Sequence, residues 1–291
     1  MFDDFEDNCL NPNIWLLVNK GWGGENRGVI PENVSIENGI LKLKGYGDLH
    51  NGITRAGAAI ATRHYYASGS YEVRARLAPE LGACSAFWTF HYDRKFPDEA
   101  NYWTDGNPVR NTEIDWEFPT AMSDGRSYDP ISFRNLRANS WGGKVGGEGA
   151  HHPGRVEADQ DLSKGWHVYR FDWHSTGTAD DLTPRVEYFI DNKKVYEIRG
   201  STWGQDNIGY RAARFWLGVW FPAAGWKPTG DVGWAGSPQF DTTNLEIDWV
   251  KITPLNEERD KWEPELLPNE FYVAPHLYPG YGKKKFPKIV N

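Results

Sequence analysis

Residues 112–119 read Thr-Glu-Ile-Asp-Trp-Glu-Phe-Pro. Acids at 113, 115 and 117 alternate with large apolar side chains at 114, 116 and 118. The backbone that sorts such a sequence is an extended strand, whose side chains alternate faces with period two. Glu113, Asp115 and Glu117 then share one face, and Ile114, Trp116 and Phe118 share the other. The apolar face demands a core to pack against. The acidic face is a poor structural choice, because neighbouring carboxylates repel and disfavour one another's ionisation. Stability alone gives little reason to keep it. Paired carboxylates with separated pKa values are the working parts of glycosidic-bond hydrolysis, so these three are the candidate catalytic residues.

The rest of the chain reads as more strands. Residues 34–44 (VSIENGILKLK) form a hairpin pattern around Asn38-Gly39, and 185–190 and 193–198 form another around Asp191-Asn192. Residues 70–77 alternate cleanly, and 85–92 (SAFWTFHY), 166–173, 214–221 and 244–252 are further β-type runs. No stretch has useful helical periodicity. Many strands punctuated by Gly, Pro and Asn imply an all-β sandwich or jelly roll. Two polar, Gly-rich stretches, 93–110 and 121–160, fit no strand and are expected to form loops rimming the acidic strand. The expected division is a β domain over 1–254 and a tail over 255–291 that either packs on the domain or serves as a linker.

Composition narrows the function classes. The 291 residues carry a net charge of −8, which disfavours a nucleic-acid or anionic-membrane surface. No apolar run is long enough to span a bilayer as a helix. The start, Met-Phe-Asp-Asp-Phe, has no basic or apolar leader, so the chain reads as intracellular or as a mature segment with an added Met. Cys9 and Cys84 permit at most one disulfide. The outlier is tryptophan, 15 of them. An indole is large, flat and amphipathic, suited to a sandwich core and equally to a sugar face.

The acidic octapeptide resembles the signature of glycoside hydrolase family 16. The likeness extends, in the family's order, through Asp3-Asp4-Phe5, Pro31-Glu32-Asn33-Val34, Gly69-Ser70-Tyr71-Glu72-Val73-Arg74, Trp166-His167-Val168-Tyr169, Phe189-Ile190-Asp191 and Glu246-Ile247-Asp248-Trp249-Val250. It covers roughly residues 2–253. The resemblance implies a β-jelly-roll sandwich of two curved antiparallel sheets with a concave substrate cleft. The short acid motif, E-x-D-x-E, is similar to that of lichenases and xyloglucan-active members, and less like that of laminarinases, agarases and carrageenases.

The resemblance also implies roles. Glu113 would be the nucleophile, Glu117 the acid/base and Asp115 the residue that tunes the pair. Glu113 and Glu117 lie roughly 13 Å apart at Cα in an ideal strand, a span that leaning side chains and sheet curvature can close to the separation of retaining enzymes. Trp88, Trp220, Asn26, Asn135 and Arg137 match cleft positions of the family, and Trp116 and Trp141 complete the expected substrate-binding set together with Arg110. Arg110, Arg134 and Arg137 either grip an acidic or sulfated sugar or offset the local acids, and the second role is favoured.

Other motifs carry less. A second Glu-Ile-Asp-Trp, at 246–249, lacks a third acid, because Val250 stands in its place. The family often holds a structural Ca²⁺ near this point, with Asp248 giving its carboxylate and Asp4 and Gly39 their carbonyls; a plain solvated strand is an equal expectation. His151-His152 has no partners at zinc spacing. His64, His91, His167 and His174 read as structural. No cofactor is expected for catalysis. The activity expected is that of an endo-acting retaining β-glycosidase on a β-glucan or a β-galactan, with transglycosylation at the same site or lectin-like binding as alternatives. The expected partner is a polysaccharide, the expected state a monomer, and the expected location secreted or at the cell envelope.

Overall fold

The computed structural model describes residues 1–21, 26–51, 55–94, 109–120, 133–142, 150–151, 156–203, 208–222, 235–261 and 272–273. Two antiparallel sheets face each other across one core. The outer sheet runs, by pairing, through Val34–Glu37, Ile40–Tyr46, Thr242–Pro254, Gly69–Arg76, His167–His174, Arg185–Ile190 and Lys193–Arg199. The cleft sheet runs through Tyr272–Val273, Trp15–Val18, Ala56–Thr62, Arg214–Trp220, Cys84–Arg94, Val109–Pro119 and Asn135–Trp141. The sheets join where Tyr46 pairs with Ala56. This is the jelly roll expected from the alternation and turn pattern.

Local chemistry explains the elements. Asn38 and Gly39 take φ of 54° and 72°, and Asp191 and Asn192 take 49° and 65°. Two successive positive φ values twist a two-residue turn to match its strands. The interior is filled from both sheets. Ile114, Trp116 and Phe118 pack with Phe87, Tyr169 and Tyr188 and are at most 3 % exposed. The Trp116 ring centroid lies 4.8 Å from that of Phe118 and 4.9 Å from that of Tyr188. Both cysteines are free thiols.

Three strands depart from the sequence reading. Trp15–Val18 and Ala56–Thr62 are buried on both faces, so they lack polar alternation. Asn135–Trp141 lies inside the stretch whose composition reads as a loop, although the family resemblance implies a strand over 132–139. Its own alternation is sound, Leu136 and Ala138 facing the core. Flanking glycines and a polar cleft-facing row disguise it. Short pairings at Ala150–His151 and Val156–Glu157 extend its edge.

The described residues after 254 are hydrogen-bonded to the β domain. Glu257 accepts hydrogen bonds from the Thr176 and Gly177 amides at 2.6 and 3.2 Å, and Asp260 accepts one from the Ser68 hydroxyl at 2.6 Å. Tyr272–Val273 pairs with Leu17 and Val18, adding a strand to the edge of the cleft sheet.

Candidate active site

The acidic strand occupies an interior position in the cleft sheet, and its register with both neighbours is unbroken. Residues opposite one another in an antiparallel pair show their side chains on the same face. Rows across the sheet therefore follow from register alone. Trp141, Glu113, Phe90 and Arg214 form one row. Asn139, Asp115, Trp88 and Trp216 form the next. Arg137, Glu117, Ala86 and Gly218 form the third. The acids thus stand side by side along one edge of a tryptophan floor.

That floor is a second apolar cluster, separate from the sandwich interior. Trp88, Trp216 and Trp220 pack there over Val18, Ala59 and Ala61, with Phe90 against them. The Trp88 and Trp216 centroids are 5.3 Å apart. Gly218 makes room for Trp88: a Cβ there would lie 3.1 Å from Trp88 Cη2 and from Ala59 Cβ. Trp88 and Trp220, each 8 % exposed, pack with the buried Trp216 beside the row of carboxylates, and broad indoles next to acids suit the apolar faces and hydroxyl edges of sugar rings.

The acids are held differently. Asp115 Oδ2 accepts hydrogen bonds from Trp141 Nε1 at 3.2 Å and Asn139 Nδ2 at 3.3 Å. It is also hydrogen-bonded to Glu113. Burial nonetheless pushes the Asp115 carboxyl above its usual range, against those donors and Arg137. Glu117 is pushed up further from its ordinary value, first by burial and then by the charge of Asp115, with Arg137 opposing. Asp115 is 7 % exposed and Glu117 9 %, while Glu113 is more open. The row thus contains a carboxyl that keeps its proton beside one that is more accessible, the division that acid/base chemistry on an ether oxygen needs.

The other expected site residues separate into groups. Trp88, Trp220, Arg137 and Trp141 share the cleft face, Arg137 opposite Glu117 and Trp141 opposite Glu113. Asn26 donates from Nδ2 to the Phe221 carbonyl at 2.9 Å, next to Trp220. Asn135 has cleft-face parity but is 1 % exposed, lining a cavity of about 10 Å³ with Phe133 and Leu162. Trp116 is a correction: it is wholly buried between the sheets, because its even position in the strand turns it away from the acids. The side chain of Arg110 lies outside the described residues, although its backbone pairs with Asp93. Arg134 donates to the Ala158 carbonyl at 2.8 Å.

Sequence reasoning missed Asn139, Trp216, Phe90 and Lys20. The first three had a signal, since each lies a multiple of two from a residue already placed on the cleft face. Lys20 had none.

The expected calcium corner takes shape only in part. Register brings Asp3 opposite Val250 and Leu41 opposite Ile247, so Asp4, Gly39 and Asp248 belong to one region. Asp248, however, is the extra residue of a bulge, and its carboxylate is ion-paired with Arg74. The Glu6 carboxylate fills the space over Gly39. Among the described residues no three His, Cys, Asp or Glu side chains converge. As arranged, the residues do not fit a cation unless Arg74 is displaced. Glu246 is likewise paired with Arg76, at 2.7 Å from Nε, so the second Glu-Ile-Asp-Trp is an ion-paired outer face. His167 and His174 are hydrogen-bonded to Asp191 and Glu257 at 2.7 and 2.8 Å. His91 is buried, and burial with Arg214 and Arg211 depresses its pKa to about 4.

A jelly roll with an unbulged acid row on its cleft face defines a carbohydrate-active class of protein, and comparison with known proteins supplies the family. The sequence profile of glycosyl hydrolases family 16 matches residues 30–251, and the chain belongs to that family. A β-glucanase of Acetivibrio thermocellus is 25 % identical over 235 residues, 80 % of this chain and 57 % of that protein. The chain thus spans little more than half the length of the curated relatives it matches. A Bacillus licheniformis β-glucanase superposes with a TM-score of 0.61 at 19 % identity, covering 87 % of this chain and 97 % of the other. A Bacteroides ovatus family 16 protein solved with the product G4G4G3G gives 0.62 at 18 % identity over 87 % and 99 %. These likenesses establish the fold.

Proposed function

We propose that the chain is an endo-acting, retaining β-glycoside hydrolase whose substrate is a β-glucan. The observation that supports it best is the row Glu113, Asp115, Glu117, in unbroken register beside the floor of Trp88, Trp216 and Trp220. The curated relatives bear the name β-glucanase, which favours a glucan over a galactan.

In this reading the sugar chain lies over the tryptophans with a glycosidic oxygen beside Glu117. Glu117 gives its proton to the leaving oxygen while the Glu113 carboxylate attacks the anomeric carbon, so the C–O bond breaks as a glycosyl ester forms. Glu117, now ionised, takes a proton from water, and the hydroxide equivalent displaces Glu113 with a second inversion. Asp115 holds Glu113 in line through their hydrogen bond and is itself held by Asn139 and Trp141. Arg137 opposite Glu117 offsets the acid cluster.

The test is product analysis on barley β-glucan, laminarin, xyloglucan and β-galactans. Oligosaccharides from the glucans, with the β-anomer first in proton NMR of fresh digests, are expected. Monosaccharide release, or the α-anomer first, would overturn the reading. Secretion and a monomeric state are proposed with it. So is a structural Ca²⁺ in a form with the Arg74 pair opened, read out as a Tm that rises with calcium over chelator.

A further inference from the structure

Lys20 follows the strand Trp15–Val18. Its backbone is bridged to Val29 by hydrogen bonds of 3.1 and 3.0 Å in the two directions. The side chain reaches across the cleft floor. Its Nζ lies 4.7 Å from the Phe90 ring centroid and 6.0 Å from that of Trp216. Phe90 stands directly opposite Glu113 in register, and side chains so opposed start about 5 Å apart at Cβ. An ammonium above Phe90 is therefore a near neighbour of the first acid.

We propose that Lys20 is a positioning residue for the reaction: its ammonium, seated on Phe90 and Trp216, holds Glu113 in the ionised state that attack on an anomeric carbon requires. This rests on reading Glu113 as the nucleophile. Aromatic faces attract a cation while excluding water around it, so its field is less screened than at an open surface. Burial lowers the Lys20 pKa, and the charge of Glu113 acts in the opposite direction, the mutual dependence expected of two groups that share an environment.

Among the described residues, the other groups facing Glu113 do not supply this charge. On its own strand, Asp115 is an acid hydrogen-bonded to Glu113 and brings no positive charge. Across the sheet, Trp141 and Phe90 are uncharged. Arg214 continues the row beyond Phe90, but its Nη1 donates to the Thr62 and Arg63 carbonyls and its guanidinium lies 4.3 Å over Tyr65. Arg137 stands opposite Glu117, two rows away. Among these described residues Lys20 is the cation placed to favour the ionised form of Glu113 in particular.

The experiment is a carbon-13 NMR titration of carboxyl-labelled free protein, with the Glu113 signal identified by its loss in E113Q. K20Q and K20M should raise the Glu113 midpoint by about one pH unit, and the acid limb of kcat/KM on barley β-glucan should move up with it. K20R should restore both. A midpoint unchanged in both neutral variants overturns the proposal, as does a rise in KM with the midpoint fixed, which would make Lys20 a sugar contact. Full activity in E113Q would instead sink the nucleophile reading, whatever the midpoint does.

Discussion

Replacing Asp115 by asparagine separates charge from geometry at the centre of the acid row. The amide oxygen can still accept from Asn139 and Trp141, which now hold Oδ2, and the amide nitrogen can donate to Glu113. What disappears is one negative charge beside Glu117. Residues two apart on one strand face lie about 6.7 Å apart. At an effective dielectric constant of about 20, two unit charges at that distance repel by about 2.5 kcal/mol, equivalent to about 1.8 pH units. The charge of Asp115 raises Glu117, so its loss should lower the Glu117 midpoint, although burial remains. The carboxyls are coupled, so the profile reports values of the cluster. The expected result is a basic limb of kcat/KM shifted toward acid by about one to two units, with kcat also reduced. A continuous reducing-sugar assay on soluble β-glucan across the pH range measures it. A basic limb that stays in place or moves to higher pH would refute the idea that the charge of Asp115 helps keep Glu117 protonated.

Three further outcomes follow from the same geometry. Because Glu117 binds its proton more tightly folded than unfolded, its stabilising contribution is complete below the unfolded pKa and is lost as pH rises through the folded one; E117Q should match wild type in Tm near pH ~4 and exceed it near pH ~9, and a gap of equal size at both would contradict the sign. Trp216→Ala removes a buried indole packed against Trp88 and should raise KM on long glucans at least severalfold by unseating Trp88, with a smaller change in kcat, whereas a fall confined to kcat would mean that Trp216 does not support the binding surface. Trp116→Ala leaves a cavity between Phe118 and Tyr188 and should cost about 3–5 kcal/mol in denaturant unfolding; a loss below about 1 kcal/mol would mean that the site collapses around the void.

Much of the fold was legible because strand periodicity is a local property. Alternation at 70–77 and 112–118, and the turns at Asn38-Gly39 and Asp191-Asn192, need only neighbouring residues to be read. Strands buried on both faces, such as Ala56–Thr62, show no alternation, and Asn135–Trp141 hid its pattern among glycines. Trp116 shows the rule misapplied: the parity that grouped the three acids also sends this indole into the core.

The sequence by itself determined which side chains share a face of the acidic strand, because that depends only on the two-residue repeat of an extended backbone. Tertiary structure decided which strands lie beside it, and hence that Trp88, Trp216 and Asn139 belong to the site, that Asp248 meets Arg74, and that Lys20 comes to rest over Phe90. Pairing between strands far apart in the chain is fixed by the joint packing of both sheets, and a linear pattern carries no record of which distant partner packing will select.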